Sequence, residues 1–333
     1  AQLYPLIINA SQRVLDSHDT NQLSALIETL QEFTEMNIPS FQRHAVPLTQ
    51  FMLRVCQQDT SVVDYEIQQT AAETIVSITA TYKAAFKQNT QLVGQIFTLV
   101  IGWLNSVQMT PEWQTEADEI DVLPYFILAT DILPRFLETL GTQYLFELVV
   151  QWLPELVKSP CWQAKNTALV VLNAITRMRR KTVAPRLEQV VNIAYGFFKD
   201  PTPRLRFQTV VFFDRVFTLF KKQRATFFNF NVQLISAGLA DPVPRVQQRT
   251  CDFLSHFIDG TPADKLQQFF PTMFNLLYAI IAARNAQTIA EATCALSYAV
   301  IQVKKGFAAQ YPRFFPVLRQ VLTATPLCFE SME

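Results

Sequence analysis

Glycine is scarce in this chain, with seven among 333 residues. Dinucleotide folds, phosphate-binding loops and β-sandwiches spend glycine on tight turns, so a chain this poor in it reads as helices joined at proline-marked corners. Histidine is scarcer still: only His18, His44 and His256 occur, and none has a cysteine or second histidine three or four residues away, the spacing a helical metal site uses. There is no Gly-x-Ser-x-Gly elbow, no glycine-rich phosphate loop and no HExxH. No enzymatic activity, cofactor, metal or small-molecule substrate is therefore expected. Long apolar runs are missing too. The longest uncharged one, LVGQIFTLVIGWL from Leu92, is too short to cross a bilayer, and no membrane partner is expected. Cys56, Cys161, Cys251, Cys294 and Cys328 are odd in number, widely spaced and mostly set in apolar runs, which fits a reducing compartment better than a disulfide framework. No signal peptide is visible, and a chain that starts at Ala1 without methionine and ends at Glu333 as an apolar run begins reads as a piece of something longer.

What is present is repetition. DPTPRLRF starts at Asp200 and DPVPRVQQ at Asp241, 41 residues apart, and SPCWQAKN stands one interval upstream at Ser159. Each phrase puts a polar residue and prolines where one helix ends and another begins; Asp200 and Asp241 are expected to cap the helices that follow. Arg204 and Arg206 fall near a helix start, where the dipole disfavours cations, so carboxylates or carbonyls of a neighbouring repeat are expected to hold them. Apolar periodicity gives about fifteen helices, paired as outer and inner members: seven pairs and a truncated eighth. One such pair cannot bury its apolar face alone, so stacked neighbours complete the core. The expected fold is all-α, a HEAT-repeat α-solenoid forming a right-handed superhelix, one continuous array over 1–333. The Phe-Phe pairs starting at Phe197, Phe212, Phe227, Phe269 and Phe314 are expected in its core.

Net charge is zero but unevenly spread. Residues 1–157 carry 18 acids and 6 bases, residues 158–224 carry 3 acids and 14 bases, and residues 225–333 carry 7 acids and 8 bases. The basic middle is a solvated face or a surface for an acidic partner. Its RMRRK run from Arg177 sits at an inner-helix end, where cations suit the dipole, and no exposed aromatics interleave with it, so nucleic acid is not the expected partner. Segment 107–121 breaks the rhythm as an insertion with five carboxylates and no base between Glu112 and Asp121. It reads as a solvated acidic loop or an electrostatic contact for a basic protein.

The words PEWQTEAD, LPRFLETLG, LPELVKSPCWQAKNTALVVLNAI, FFKDPTPRLRF and PRVQ, in this order and spacing, resemble the importin β family, most closely its karyopherin beta-3 type. The resemblance runs from Tyr4 to near Leu327. It implies the middle of a transport receptor shuttling between cytoplasm and nucleus, whose concave wall of inner helices binds protein cargo with a basic nuclear localisation signal. It also implies Ran GTPase and phenylalanine-glycine nucleoporins as partners, with Ran-GTP-regulated cargo release in the full-length protein. Carried onto this sequence, the groove-facing set is Glu66, Glu73, Asp131, Arg135, Glu138, Asn173, Arg177, Asp214, Asp252 and His256. The loop for Ran or cargo contact is Glu112, Glu116, Asp118, Glu119 and Asp121, shorter here than in the family. The chain departs from the family at Val211, Asp214 and His256, at Pro134, at Arg177 and at Lys165, so the wall has lost acids in its middle and its cargo preference is open. A HEAT-repeat scaffold or adaptor outside transport is the other class in play.

Overall fold

The computed structural model describes residues 3–87, 89–114, 124–140, 143–178 and 180–324, and among them no strand occurs. The chain divides into two compact units, residues 1–108 with 120–178, and residues 109–119 with 179–333.

Unit 1 contains α1 (Leu3–Ser17), α2 (Thr20–Glu35), α3 (Ala45–Cys56), α4 (Tyr65–Thr81), the single turn α5 (Lys83–Phe86), α6 (Thr90–Asn105), α7 (Pro124–Thr139), α8 (Gln143–Lys158) and α9 (Trp162–Met178). Unit 2 contains the single turn α10 (Arg180–Val183), α11 (Leu187–Phe197), α12 (Pro203–Leu219), α13 (Phe228–Leu239), α14 (Pro244–Asp259), the single turn α15 (Ala263–Leu266), α16 (Phe270–Ala283), α17 (Ile289–Val303) and α18 (Tyr311–Ala324). Four pairs (α1/α2, α3/α4, α6/α7, α8/α9) and three more (α11/α12, α13/α14, α16/α17) follow in order, with α18 as the first member of an eighth. In each unit the second members form one layer, α2 to α4 to α7 to α9 and α12 to α14 to α17, and the first members back them. This is the all-helical HEAT-type stack that the repeat phrases lead one to expect.

Local chemistry explains the corners between first and second members. Ser159 Oγ accepts from Cys161 N at 3.2 Å, Asp200 Oδ1 from Thr202 N at 3.0 Å and Asp241 Oδ1 from Val243 N at 2.9 Å. Asp59 with Ser61 N and Asn285 with Gln287 N repeat the bond before α4 and α17. Each is a side chain closing a turn on the backbone two residues ahead. The expected role of Asp200 and Asp241 as helix caps is thus corrected: Thr202 and Val243 stand at the cap positions and make no side-chain cap bond, while Pro203 and Pro244 fill the first turn. Aspartate shapes the corner and proline starts the helix. The apolar run from Lys265 likewise splits into α15 and α16, because Pro271 lacks the N–H that would continue the earlier turn.

Packing between repeats is aromatic and tight. Phe212, Phe253 and Phe257 are fully buried, and Phe217 meets Phe253 and Phe257 at centroid distances of 6.0 and 5.3 Å. Each buried ring contributes about 2 kcal/mol by removing apolar area from water. Of the Phe-Phe pairs, Phe315 is the clear exception to burial, 47% exposed beside a buried Phe314. Arg206 is held as expected from the next repeat: Nε and Nη2 donate to the two Asp241 carboxylate oxygens at 2.6 and 3.0 Å, and Nη1 donates to the Asp200 and Pro201 carbonyls. Removing either partner would strand a desolvated charge at a cost of about 3 kcal/mol.

Among the described glycines the tightest site is Gly238, near the end of α13, where an added Cβ would stand 2.4 Å from Thr250 Oγ1 on α14. Alanine there gains helix propensity of about 1 kcal/mol, yet the buried, β-branched Thr250 cannot move aside. Gly238→Ala is expected to destabilise the protein by about 1–3 kcal/mol in urea unfolding, and the penalty should vanish in a Thr250→Ala background. An equal penalty in both backgrounds would show that the interhelical approach is not its cause.

Candidate binding faces on the inner helices

On α4 the residues not buried by neighbours include Glu66, Gln69, Thr70, Glu73 and Ser77, a stripe of helical period that leaves Glu66 and Glu73 on one face. On α7 the matching stripe is Asp131, Arg135 and Glu138. Stacking brings the two together. Arg135 donates to Glu73 Oε1 at 3.0 Å, pairs with Glu73 Oε2 at 2.8 Å and reaches Asp131 Oδ2 at 2.9 Å. The hydrogen bond to Glu73, joined by that to Asp131, holds the guanidinium pKa above its ordinary value against the effect of burial. Glu66 and Glu138 are exposed and make no ion pair, and Asp131 is 63% exposed at its side chain, so this face of unit 1 keeps an acidic excess. On α9, Asn173 is half-buried with Oδ1 unbonded, and Arg177 one turn on is exposed.

A polar-aromatic lock sets the register of α4 against α7. Tyr125 Oη donates to Gln68 Oε1 at 2.6 Å, Tyr65 Oη donates to the Pro124 carbonyl at 3.2 Å, and the two rings meet edge to face at 5.0 Å. Sequence reasoning missed these residues, because tyrosines 60 positions apart carry no local signal of partnership.

In unit 2 the inner layer is stitched by charge. Asp214 on α12 is 5% exposed, which corrects its place on the groove surface: it lies between α12 and α14, under the residues it binds. Its Oδ2 accepts from Arg249 Nη2 at 2.5 Å and its Oδ1 pairs with His256 Nδ1 at 2.8 Å. Arg249 also reaches Asp252 at 3.3 Å, and Gln248 Nε2 donates to Glu291 Oε1 at 2.8 Å, tying α14 to α17. Burial pushes the Asp252 carboxyl above its usual range; Arg249 opposes this, while Glu291 and Asp214 reinforce it. The exposed members of this face are His256 and Arg215, with Asp252 partly covered. Arg249 and Glu291 were absent from the sequence-based set; the 35-residue offset from Asp214 to Arg249 repeats that of Arg206 to Asp241 and was a signal available to find the first.

The described part of the acidic insertion is not a solvated loop. Trp113 is 3% exposed, packed on Val243, Val246, Met109 and Phe207, with its carbonyl accepting from Arg245 Nη1 at 2.8 Å. Arg204 and Arg245 stand over its ring at 5.3 and 5.1 Å, so the arginines of two successive repeats clamp one indole. Glu112 beside it is exposed; Glu116, Asp118, Glu119 and Asp121 lie outside the described residues.

Chemically, these faces offer fixed charges and hydrogen-bonding groups to a macromolecule. Among the described residues no group of three or more His, Cys, Asp or Glu side chains could hold a metal ion, and no helix is long and apolar enough to cross a membrane. Cys56 and Cys251 are buried, with burial pushing both thiols far up.

No protein-family model matches the chain. Its fold is similar to solved structures of the karyopherin Kap121p. Kap121p bound to RanGTP aligns with a TM-score of 0.84 at 18% identity over 96% of this chain and 32% of that one. Kap121p bound to Pho4p gives 0.84 at 19% over 97% and 32%, and Kap121p bound to Nup53p gives 0.81 at 19% over 97% and 32%. The chain thus spans about a third of the length of the karyopherin it matches.

The raised Asp252 carboxyl has a readable sign. Between its ordinary value near ~4 and its raised folded value the native state holds more protons than the unfolded one, so this group lowers stability as pH rises through that window. Asp252→Asn removes the effect: the variant should gain stability over the parent as pH climbs from below ~4, then level off. Urea unfolding across pH checks this; parallel profiles for the two proteins would refute it.

Proposed function

We propose that this chain is a segment of an importin-type nuclear transport receptor that binds protein cargo along its inner helices. The observation that carries this reading is the match of nearly the whole chain to a HEAT stack of karyopherin form. Glu66, Asp131, Glu138 and Arg177, exposed on the inner helices, are the groups this reading uses. In this reading the acidic face of unit 1 receives lysines of a basic localisation signal, and Arg177 and Arg215 select against basic residues at their own positions. Ran-GTP displaces cargo in the full-length protein, phenylalanine-glycine nucleoporins are further partners, and the protein shuttles between cytoplasm and nucleus. Within that family the reading assigns the chain to the karyopherin beta-3 type.

A second reading, a HEAT scaffold outside transport, draws on the stitching itself: Glu73, Arg135, Asp214 and Asp252 are engaged in ion pairs between or within repeats and His256 is hydrogen-bonded to Asp214, which leaves fewer groups for cargo.

A fluorescently labelled lysine-rich peptide separates the two. On the transport reading Glu66→Lys/Glu138→Lys weakens binding about tenfold, Arg215→Glu does not weaken it, and raising salt weakens it steeply because exposed charges are screened within about 8 Å at physiological ionic strength. Ran-GTP added to the full-length protein should release the peptide. Binding indifferent to the acid reversals, or a complex that Ran-GTP leaves intact, would favour the scaffold.

A further inference from the structure

Unit 2 has a second charged surface that the inner-face reading does not use. It lies at the opposite ends of the inner helices from the Trp113 seat, where each second helix turns into the next first helix. After α12 the corner carries Lys221 and Lys222, and the turn before α11 carries Arg180 and Lys181. One repeat further on, α15 carries Lys265, and the corner after α17 carries Lys304 and Lys305. The interval is again 41 residues from Lys181 to Lys222, and the series continues at 265 and 305. All these side chains are exposed, and among the described residues no lysine of the series is in an ion pair. Asp259 and Asp264 are the exposed acids at the corner after α14; neither makes a close ion pair, and Asp259 acts through its charge on Arg224.

The arginines at this edge are occupied. Arg224 donates to the Phe217 and Gly260 carbonyls at 2.9 Å each and lies 4.2 Å over the Phe217 ring, and Arg180 donates to the Leu219 carbonyl at 3.3 Å. They bind adjacent corners together. The lysines project beyond them as uncommitted point charges. Between the corners run two clefts: one of about 460 Å³ with Lys181, Lys221 and Lys222 at its lip, the next of about 390 Å³ with Lys222 and Lys265 across a floor that includes Phe228 and Pro262. Lys221 and Lys222 belong to both. At Lys304 the charge sits on a backbone of φ 53°, where an L side chain is rarely found and glycine would fit without strain.

We infer that this edge of unit 2 is a docking groove for an extended acidic segment of a protein. Helices stack at about 8–10 Å, so successive corners present cations at that spacing, and an extended peptide rising about 3.3 Å per residue meets it with a carboxylate at every third position. The apolar floor suits side chains between the acids. A single-stranded nucleic acid would need rings on which bases stack; the rings at these clefts are Phe220, which is buried, and Phe228, which packs on Phe257 at 5.5 Å. The inference stands apart from the transport reading, because it concerns another edge and the opposite charge.

The test is fluorescence anisotropy with a labelled 15-residue peptide carrying glutamate at every third position, titrated with the chain. Lys221→Glu/Lys222→Glu should weaken binding about tenfold or more, and raising salt should weaken the parent complex. Lys199→Glu, an exposed lysine of the same unit at the other edge, is the control and should change the affinity less than twofold. Circular dichroism melts of Lys221→Glu/Lys222→Glu should match the parent, since neither lysine is in an ion pair, while Lys199→Glu gives up only an exposed contact of its ammonium with the Tyr195 ring at 5.8 Å. Failure of the parent to bind, equal losses in the ridge and control variants, or tighter binding of a single-stranded oligonucleotide of the same charge would each overturn the inference.

Discussion

A helix pair in this chain has more apolar surface than its two members can hide from each other, and every other feature answers to that shortage. Rings such as Phe217 on α12 lie against Phe253 and Phe257 on α14 because one repeat's core is finished by the next. The same dependence dictates the corners. A stack works only if each pair presents its face at the same angle, and side-chain-closed turns at Ser159, Asp200 and Asp241 deliver that angle from four residues of local sequence. Gly238 shows how little slack remains, since one methyl group would meet Thr250.

Charge plays two roles on this frame. Arg206 with Asp241, Arg135 with Glu73 and Arg249 with Asp214 each reach from one repeat to the next, and their geometry is met in only one register. Because both charges of the buried pairs have left water, their gain lies less in net stability than in the cost of any other alignment. The remaining charges are those with no partner in the fold. Among them are an acidic face on the inner helices of unit 1 and a row of lysines along one edge of unit 2. The separation between committed and uncommitted charge is what makes these surfaces readable as binding faces.

The helices and their pairing were legible in the sequence because the signals are local. A proline in the first turn, a polar residue two or three positions earlier and an apolar stripe of helical period act within about ten residues, so Asp200 and Asp241 announce their corners even though the bond they make differs from the cap expected of them. The candidate faces were legible in part. The groove-facing set carried over with the resemblance put Glu66 and Glu73 on one inner helix and Asp131 and Arg135 on the next, but whether a group faces solvent or a neighbouring repeat depends on the stacking offset, which no short stretch encodes. Asp214 was misplaced for that reason. Trp113 was read from its acidic neighbours, and nothing in PEWQ reveals that arginines 91 and 132 residues later flank its ring.

That indole has a consequence in time. Most ties in a helical stack join residues about 40 positions apart, whereas the bond from Arg245 to the Trp113 carbonyl spans 132. Closing the longer loop costs about 1 kcal/mol more chain entropy than closing one of 35 residues. Its seat, moreover, is assembled from Phe207 of one repeat and Val243, Val246 and Arg245 of the next, so it does not exist until both have formed. On the ribosome, at about 5–20 residues per second, a tryptophan made at position 113 waits on the order of ten seconds for the helix that will bury it. During synthesis this chain therefore carries an exposed aromatic side chain for an interval set by the spacing of its own sequence, and segment 109–114 docks only after the repeats that bind it.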